Sequence, residues 1–274
     1  MSIHLITQYF EHDNRDRQEE IDYCLNMNLR NKFISRVHLL NEKYFIFSMF
    51  SNYKKIRQIV INERLTFLAA FEYANKYQDQ DNILWILCNS DIYFDDSLEN
   101  IKKYRMHNKL FALTRYDIQN DRSIKFLDSD FAHGSQDAWI FESPIPLNKI
   151  FTNFYLGIPG CDNRIAYEFI RAGYNVINPS KKIIAKHFDL ARDMRTTHRN
   201  ALYSNLNTED NIKKGLVAPP PYQFFIYPTD KLDSSYPHLS ELHQKANKSK
   251  YSSIKVILLK LIEYLFVLLR IHKK

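Results

Sequence analysis

Ile83-Leu84-Trp85-Ile86-Leu87-Cys88, followed at once by Asn89-Ser90-Asp91, is the stretch that decides the fold of this chain. Six apolar residues without polar alternation predict a central strand covered on both faces, as in an α/β sheet flanked by helices. The polar triplet ends that strand abruptly, at the edge where open α/β sheets place their ligands. On the amino side, residues 3–10 predict a first strand and 18–29 a helix, with Ile21, Leu25 and Leu29 four residues apart. Residues 34–40 predict a second strand ending in Asn41-Glu42, 56–61 a third, and 65–77 a second helix. On the carboxyl side, 98–106 reads as helix and 109–115 and 138–141 as strands. Pro159-Gly160 introduces a helix over 162–172 that stops at Gly173, and 176–177 forms a short strand.

With 274 residues, 45% hydrophobic and 25% charged, the chain has the composition of a globular protein with a real core. Its net charge of +7 is unevenly placed: residues 245–274 hold eight basic residues and one acid, so the rest of the chain sums to zero. That distribution argues against a nucleic-acid-binding body and moves the charge question to the C-terminus. Five glycines leave no G-x-G-x-x-G and no P-loop. Cys24, Cys88 and Cys161 are widely spaced with no C-x-x-C pair, which indicates neither a disulfide framework nor a zinc ribbon and fits a reducing compartment. The N-terminus lacks the basic start and long apolar run of a secretory signal, so the bulk of the chain is expected in the cytoplasm. Residues 204–253 are polar and carry Pro219, Pro220, Pro221, Pro228 and Pro237, as an extended connection would.

Two constellations carry chemistry. Asn89 and Asp91 are two residues apart, so in an extended continuation of the strand they project to one side and can face one ion or ligand. Oxygen ligands of this kind suit Mg²⁺ or Mn²⁺ on a diphosphate; an Asx turn ending a strand is the alternative. Asp162, opening a helix, is either a general base or a partner of the helix dipole. His187 is either an ordinary buried histidine or an imidazole that completes a metal's coordination.

The order apolar strand, Asn-Ser-Asp, Gly-Cys-Asp (160–162), helix, Ala-Gly-Tyr (172–174), strand, Pro-Ser (179–180), His187 resembles the GT-A glycosyltransferases, in particular inverting, family-2-like members that build bacterial surface glycans. The resemblance spans about residues 3–199 and is strongest over 157–187. It implies a Rossmann-like mixed sheet, a nucleoside-diphosphate-sugar donor and Mn²⁺ or Mg²⁺ as cofactor. Asp91 would be the second aspartate of D-x-D and contact the metal; Asn89 stands where the first aspartate usually does, and Ser90 lies between them. Asp162 would deprotonate the acceptor hydroxyl, Cys161 replaces a glutamate that usually precedes this base, and His187 would bind the metal. By analogy of position, Thr7, Gln8 and Tyr9 and also Glu42 would contact the nucleotide. Arg64, opening the second helix, is a candidate for the diphosphate, as are Arg192 and Arg195, because guanidinium matches phosphate geometry. Asp137, Trp139 and Cys161 would border the sugar and acceptor.

Residues 254–271 form an amphipathic pattern. On a wheel of ~100° per residue, Lys260, Glu263 and Arg270 share one side, Lys255 widens it, and the rest is Leu, Ile, Val, Phe and Tyr. Spanning a bilayer would place charges near its centre at roughly 2.5–3.5 kcal/mol each, so an in-plane helix on an anionic membrane is preferred. The alternative is a helix docked on protein. The expected organisation is a catalytic domain over 1–203, a proline-bearing extension over 204–250 and a basic amphipathic helix over 251–274. The expected location is the cytoplasmic face of the cell membrane, with a glycan or glycolipid acceptor and no nucleic acid. A nucleotidyltransferase on a similar sheet is disfavoured by the lack of a glycine-rich basic loop after the first strand, and glycoside hydrolysis by the metal-type triplet and histidine. A non-catalytic, membrane-bound adaptor that binds sugar nucleotides is the remaining alternative.

Overall fold

The computed structural model of the chain describes residues 1–77, 82–102, 104–127, 134–191, 209–221 and 226–232. The expected helix over 251–274 and the arginines at 192 and 195 lie outside them.

Seven strands form the main sheet: β1 (Ser2–Thr7), β2 (Ile34–Asn41), β3 (Ile56–Val60), β4 (Ile83–Cys88), β6 (Lys109–Leu113), β9 (Ala138–Glu142) and β10 (Asn175–Ile177). Their spatial order is β10-β6-β9-β4-β1-β2-β3. β3, β2, β1 and β4 run parallel, and β10 is parallel to β6. β9 alone is antiparallel, to β4 on one side and β6 on the other. This mixed α/β sheet is the architecture the sequence predicts and is compatible with a GT-A fold.

The uniform apolarity of β4 has the expected cause. Ile83, Trp85 and Leu87 pack into one core layer with helix α2 (Phe67–Lys76) and helix α3 (Cys161–Arg171). Leu84, Ile86 and Cys88 pack into the other, which includes Leu25 and Leu29 of helix α1 (Arg15–Arg30). A strand with a core on each face has no polar side to show. α1 begins three residues before the predicted helix because Asn14 caps it, its side chain accepting from Arg17 N. Thr66 caps α2 in the same way through Ala69 N, so Thr66→Ala is expected to cost about 1 kcal/mol in urea unfolding.

The helix expected over 98–106 is a 3-10 segment at Asp96–Ile101, whose Leu98 and Ile101 are buried. A second small sheet was not legible in the sequence. It comprises β5 (Ile92–Phe94), β7 (Arg115–Ile118), β8 (Ile124–Phe126) and β11 (Ala185–His187), in the order β5-β11-β7-β8. Within 204–250, a five-residue helix α4 (Glu209–Lys213) is followed by Val217, which is buried, and by Ala218 and Ile226, which pack into the main core. Among the described residues no helix is long and apolar enough to cross a membrane.

Candidate functional site

The antiparallel β9 determines what meets at the functional edge. Its first residue, Ala138, stands beside Cys88 at the end of β4 and Leu113 at the end of β6. Gln136 and Asp137, just before β9, therefore arrive where β4 delivers Asn89 and where Arg115 follows β6. The chain turns at once after β4, with Ile92 N donating to Asn89 O at 3.2 Å. This turn sends Asn89 and Asp91 to different partners.

Asn89 joins Asp137. Its Nδ2 donates to Asp137 Oδ1 at 3.0 Å, and its backbone N donates to Asp137 O at 3.2 Å. Gly157, at φ +70°, lies against the same amide, and a Cβ there would come within 3.3 Å of Asn89 Oδ1. Gly157→Ala should therefore displace Asn89 and cost about 1–2 kcal/mol in thermal or urea unfolding.

Asp91 joins His187. The small sheet pairs His187 with Ile92 on one side and Asp117 on the other, and Phe188 N donates to Asp91 O at 3.0 Å. His187 Nδ1 lies 2.8 Å from Asp117 Oδ1, which aims Nε2 at two carboxylates: Asp91 Oδ2 at 3.4 Å and Asp189 Oδ2 at 3.6 Å. Arg17 of α1 closes the cluster. Its Nη2 is 2.5 Å from Asp91 Oδ2, and its Nη1 is 2.9 Å from Asp189 Oδ1 and 3.0 Å from Glu20 Oε2. Glu20 Oε1 accepts from Leu190 N at 2.6 Å and from Ala191 N at 2.8 Å, fixing the segment that carries His187 and Asp189 onto α1. Burial alone would raise the Asp91 carboxyl; His187 and Arg17 outweigh it and hold it below the usual carboxylate range. Burial alone would lower the His187 imidazole, but Asp91 and the bond to Asp117 hold it up at about 9.

Asp91, His187 and Asp189 can together hold a metal ion. The Nε2 to carboxylate separations of 3.4 and 3.6 Å are wider than the roughly 3.0 Å between adjacent ligands on an octahedral ion at about 2.1 Å, so the three groups would close in slightly on an ion. Asp91 Oδ1 is buried without a hydrogen-bond partner. The Nδ1 contact to Asp117 is the carboxylate support that orients histidine ligands. Nε2 can serve an ion only once its proton has left.

Asp162 lies in the first turn of α3. Its Oδ2 accepts from Gln136 N at 3.2 Å and its Oδ1 from the Cys161 thiol at 3.0 Å. Burial first, then the charge of Asp137, push its carboxyl up to about 6. A charged chain links it to the ion cluster. Asp137 Oδ2 accepts from Arg115 Nη1 at 3.0 Å, Arg115 Nε donates to Asp117 Oδ1 at 2.8 Å, and Asp117 meets His187.

The remaining sequence-predicted residues take these places. Thr7 is buried beside Cys88. Gln8 ties three segments: Nε2 donates to Leu40 O and Glu63 O, both at 3.1 Å, and Oε1 accepts from Leu65 N. Tyr9 N donates to Asn41 Oδ1 at 2.9 Å, and its hydroxyl donates to Asp22 Oδ1 at 2.8 Å. Glu42 is exposed in the bend after β2, and the buried polar residue at the end of that strand is Asn41. Arg64 is exposed at the rim, its Nη2 donating to Leu156 O at 3.0 Å and its guanidinium 5.4 Å from the centre of the Tyr155 ring. Ser90 is partly exposed in the turn.

Two expectations need correction. Trp139 offers no ring face to a sugar: it is fully buried, with its ring centre 4.8 Å from that of Phe67. The Cys161 side chain is buried too, and burial followed by Asp162 pushes its thiol well up, so it presents nothing to an acceptor. All three cysteines are free and buried, so a thiol reagent should read no fast-reacting group in native protein and three after denaturation.

Arg17, Arg115, Asp117 and Asp189 were missed. His187-Phe188-Asp189 repeats the spacing of Asn89-Ser90-Asp91, and Arg115 and Asp117 are likewise two apart, so both pairs carried a period-2 signal. Arg17 carried none.

No protein-family model matches the chain, and no curated protein does. Among solved structures, the 4-diphosphocytidyl-2C-methyl-D-erythritol synthase from Anaerococcus prevotii is similar at 15% identity and a TM-score of 0.36, covering 74% of this chain and 94% of that one. HddC from Yersinia pseudotuberculosis is similar at 16% identity and a TM-score of 0.33, over 57% and 89%. The galactosyltransferase LgtC, in complex with donor and acceptor sugar analogues, is similar at 10% identity and a TM-score of 0.29, over 93% and 98%. Likeness at these scores carries no inference about what this chain does.

Proposed function

We propose that the chain is a metal-dependent glycosyltransferase that moves a sugar from a nucleoside-diphosphate donor to a hydroxyl of a glycan or glycolipid, with inversion. The observation that carries this reading is the meeting, at one edge of the sheet, of an Asp/His/Asp cluster able to hold an ion and a carboxyl with a pKa of about 6. An acceptor hydroxyl needs a base that is ionised at neutral pH and still basic, and Asp162 meets that requirement. Inversion follows if its carboxylate takes the proton as the acceptor oxygen attacks the anomeric carbon.

Asp91, His187 and Asp189 would hold Mn²⁺ or Mg²⁺, which when bound supplies positive charge against a diphosphate. Asn89 and Arg115 keep Asp137 fixed beside the base. Thr7, Gln8 and Tyr9 border the nucleotide end, and Arg64, with the arginines at 192 and 195, serves the diphosphate. Residues 1–203 form the catalytic unit, 204–250 the extension, and 251–274 an amphipathic helix that holds the enzyme on the cytoplasmic face of an anionic membrane.

A thermal-shift screen of sugar nucleotides with and without Mn²⁺ tests this reading, because a ligand of the native state raises its apparent stability. One donor should raise the melting temperature by several degrees only when Mn²⁺ is present. No stabilisation across a broad donor panel overturns the proposal.

A further inference from the structure

The oxygen of Asp91 that faces His187 is already taken. Asp91 Oδ2 is 3.4 Å from His187 Nε2, and the same Oδ2 is 2.5 Å from Arg17 Nη2. The guanidinium does not simply brush the cluster from outside. Its other nitrogen reaches Asp189 Oδ1 at 2.9 Å, Glu20 Oε2 at 3.0 Å and Phe188 O at 3.1 Å, and its side chain is 12% exposed. One buried cation thus spans the two carboxylates that an ion would need, from a helix that contributes no ligand itself.

Two like-charged carboxylates cannot lie this close in a buried site without a positive group between them. In the absence of metal, Arg17 shares that role with the His187 imidazole, and Arg17 makes the shorter contacts to both carboxylates. A divalent ion held through Asp91 Oδ2, the oxygen nearest His187 Nε2, would share that atom with Arg17, and an ion on either Asp91 oxygen would meet the guanidinium's charge at short range, where little water screens the repulsion.

We propose that Arg17 is a resident competitor for the divalent ion: it holds Asp91 and Asp189 together in the metal-free protein, and the ion binds by displacing it from Asp91. This inference rests on the metal reading given above and adds a residue that sets how tightly the ion is held. Its consequence is a fold that stands without metal and takes up the ion weakly and reversibly.

The test is Mn²⁺ titration of the full chain by isothermal calorimetry, with metal-free melting temperatures measured alongside. Arg17→Gln should bind Mn²⁺ roughly tenfold or more tightly than the unaltered protein, while its metal-free melting temperature falls. Arg17→Lys retains a charge but reaches one carboxylate at a time, so its affinity should lie between the two. If Arg17→Gln does not fold, Arg17→Lys carries the test alone, with binding tighter than in the unaltered protein as the expected result. Affinity unchanged or weakened in whichever variant folds overturns the proposal and makes Arg17 a clamp that builds the site. Asp91→Asn identifies the site, since Mn²⁺ binding should vanish in it. No Mn²⁺ binding by the unaltered protein or either variant overturns the metal reading itself, a result distinct from the previous one.

Discussion

Replacing Asp162 by Asn is expected to lower turnover by roughly 10²–10⁴-fold, the range lost with a general base, while making the protein more stable. The two effects have one origin. Burial and the neighbouring Asp137 carboxylate lift the Asp162 carboxyl from 3.8 to about 6, so at neutral pH the folded state holds a charge it disfavours. Because the folded pKa is the raised one, there is no penalty below about pH 3.8. The penalty grows as pH rises through about 6 and is constant above. Asn has the same shape, can accept from Gln136 N and carries no charge. Its advantage should open between these pH values and reach about 3 kcal/mol, several degrees in melting temperature, at pH 7. In the unaltered protein, turnover that depends on the proposed base should rise tenfold per pH unit and level off near pH 6. Turnover kinetics and urea unfolding of both proteins across pH 4–8 measure all of this. Equal turnover in Asp162→Asn would remove Asp162 from the chemistry.

Asp91→Ala should behave in the opposite sense. The carboxylate is held in its charged form by Arg17 and His187, and its loss leaves two buried cationic groups short of a partner. Arg17 retains Asp189 and Glu20, so the cost is expected at the lower end for a broken buried pair, about 3 kcal/mol in urea unfolding at pH 7. Mn²⁺-dependent stabilisation and turnover should disappear together. One substitution thus weakens both fold and function, whereas Asp162→Asn trades function for stability. That contrast separates a residue paired by its surroundings from one held charged against them.

The central strand was legible in the sequence because a core on both faces leaves a run with no polar position. The carboxyl-end triplet was legible because the run stops at Asn89. Its division was not legible: Asn89 turns to Asp137 and Asp91 to His187, which depends on the antiparallel insertion of β9 and on strands of three or four residues, too short to show a period. Arg17 sits on a helix whose spacing marks only its apolar face, so nothing in the sequence indicated that it would reach across to residues 91 and 189. Trp139 was placed from the strand that carries it, and the packing of β9 assigns it to the core instead. Asp162 was legible as a residue, but its raised pKa comes first from burial under neighbours no local pattern announces and then from Asp137, 25 positions away.

Incubating the full chain with Mn²⁺, a sugar nucleotide that stabilises it and candidate hydroxyl acceptors, and then identifying the phosphate product, tests the central claim most directly. The account predicts free nucleoside diphosphate in step with glycosylated acceptor, abolished in Asp91→Ala. Pyrophosphate, formed when a nucleoside triphosphate and a sugar phosphate are supplied instead, would contradict it and assign the site to nucleotidyl transfer.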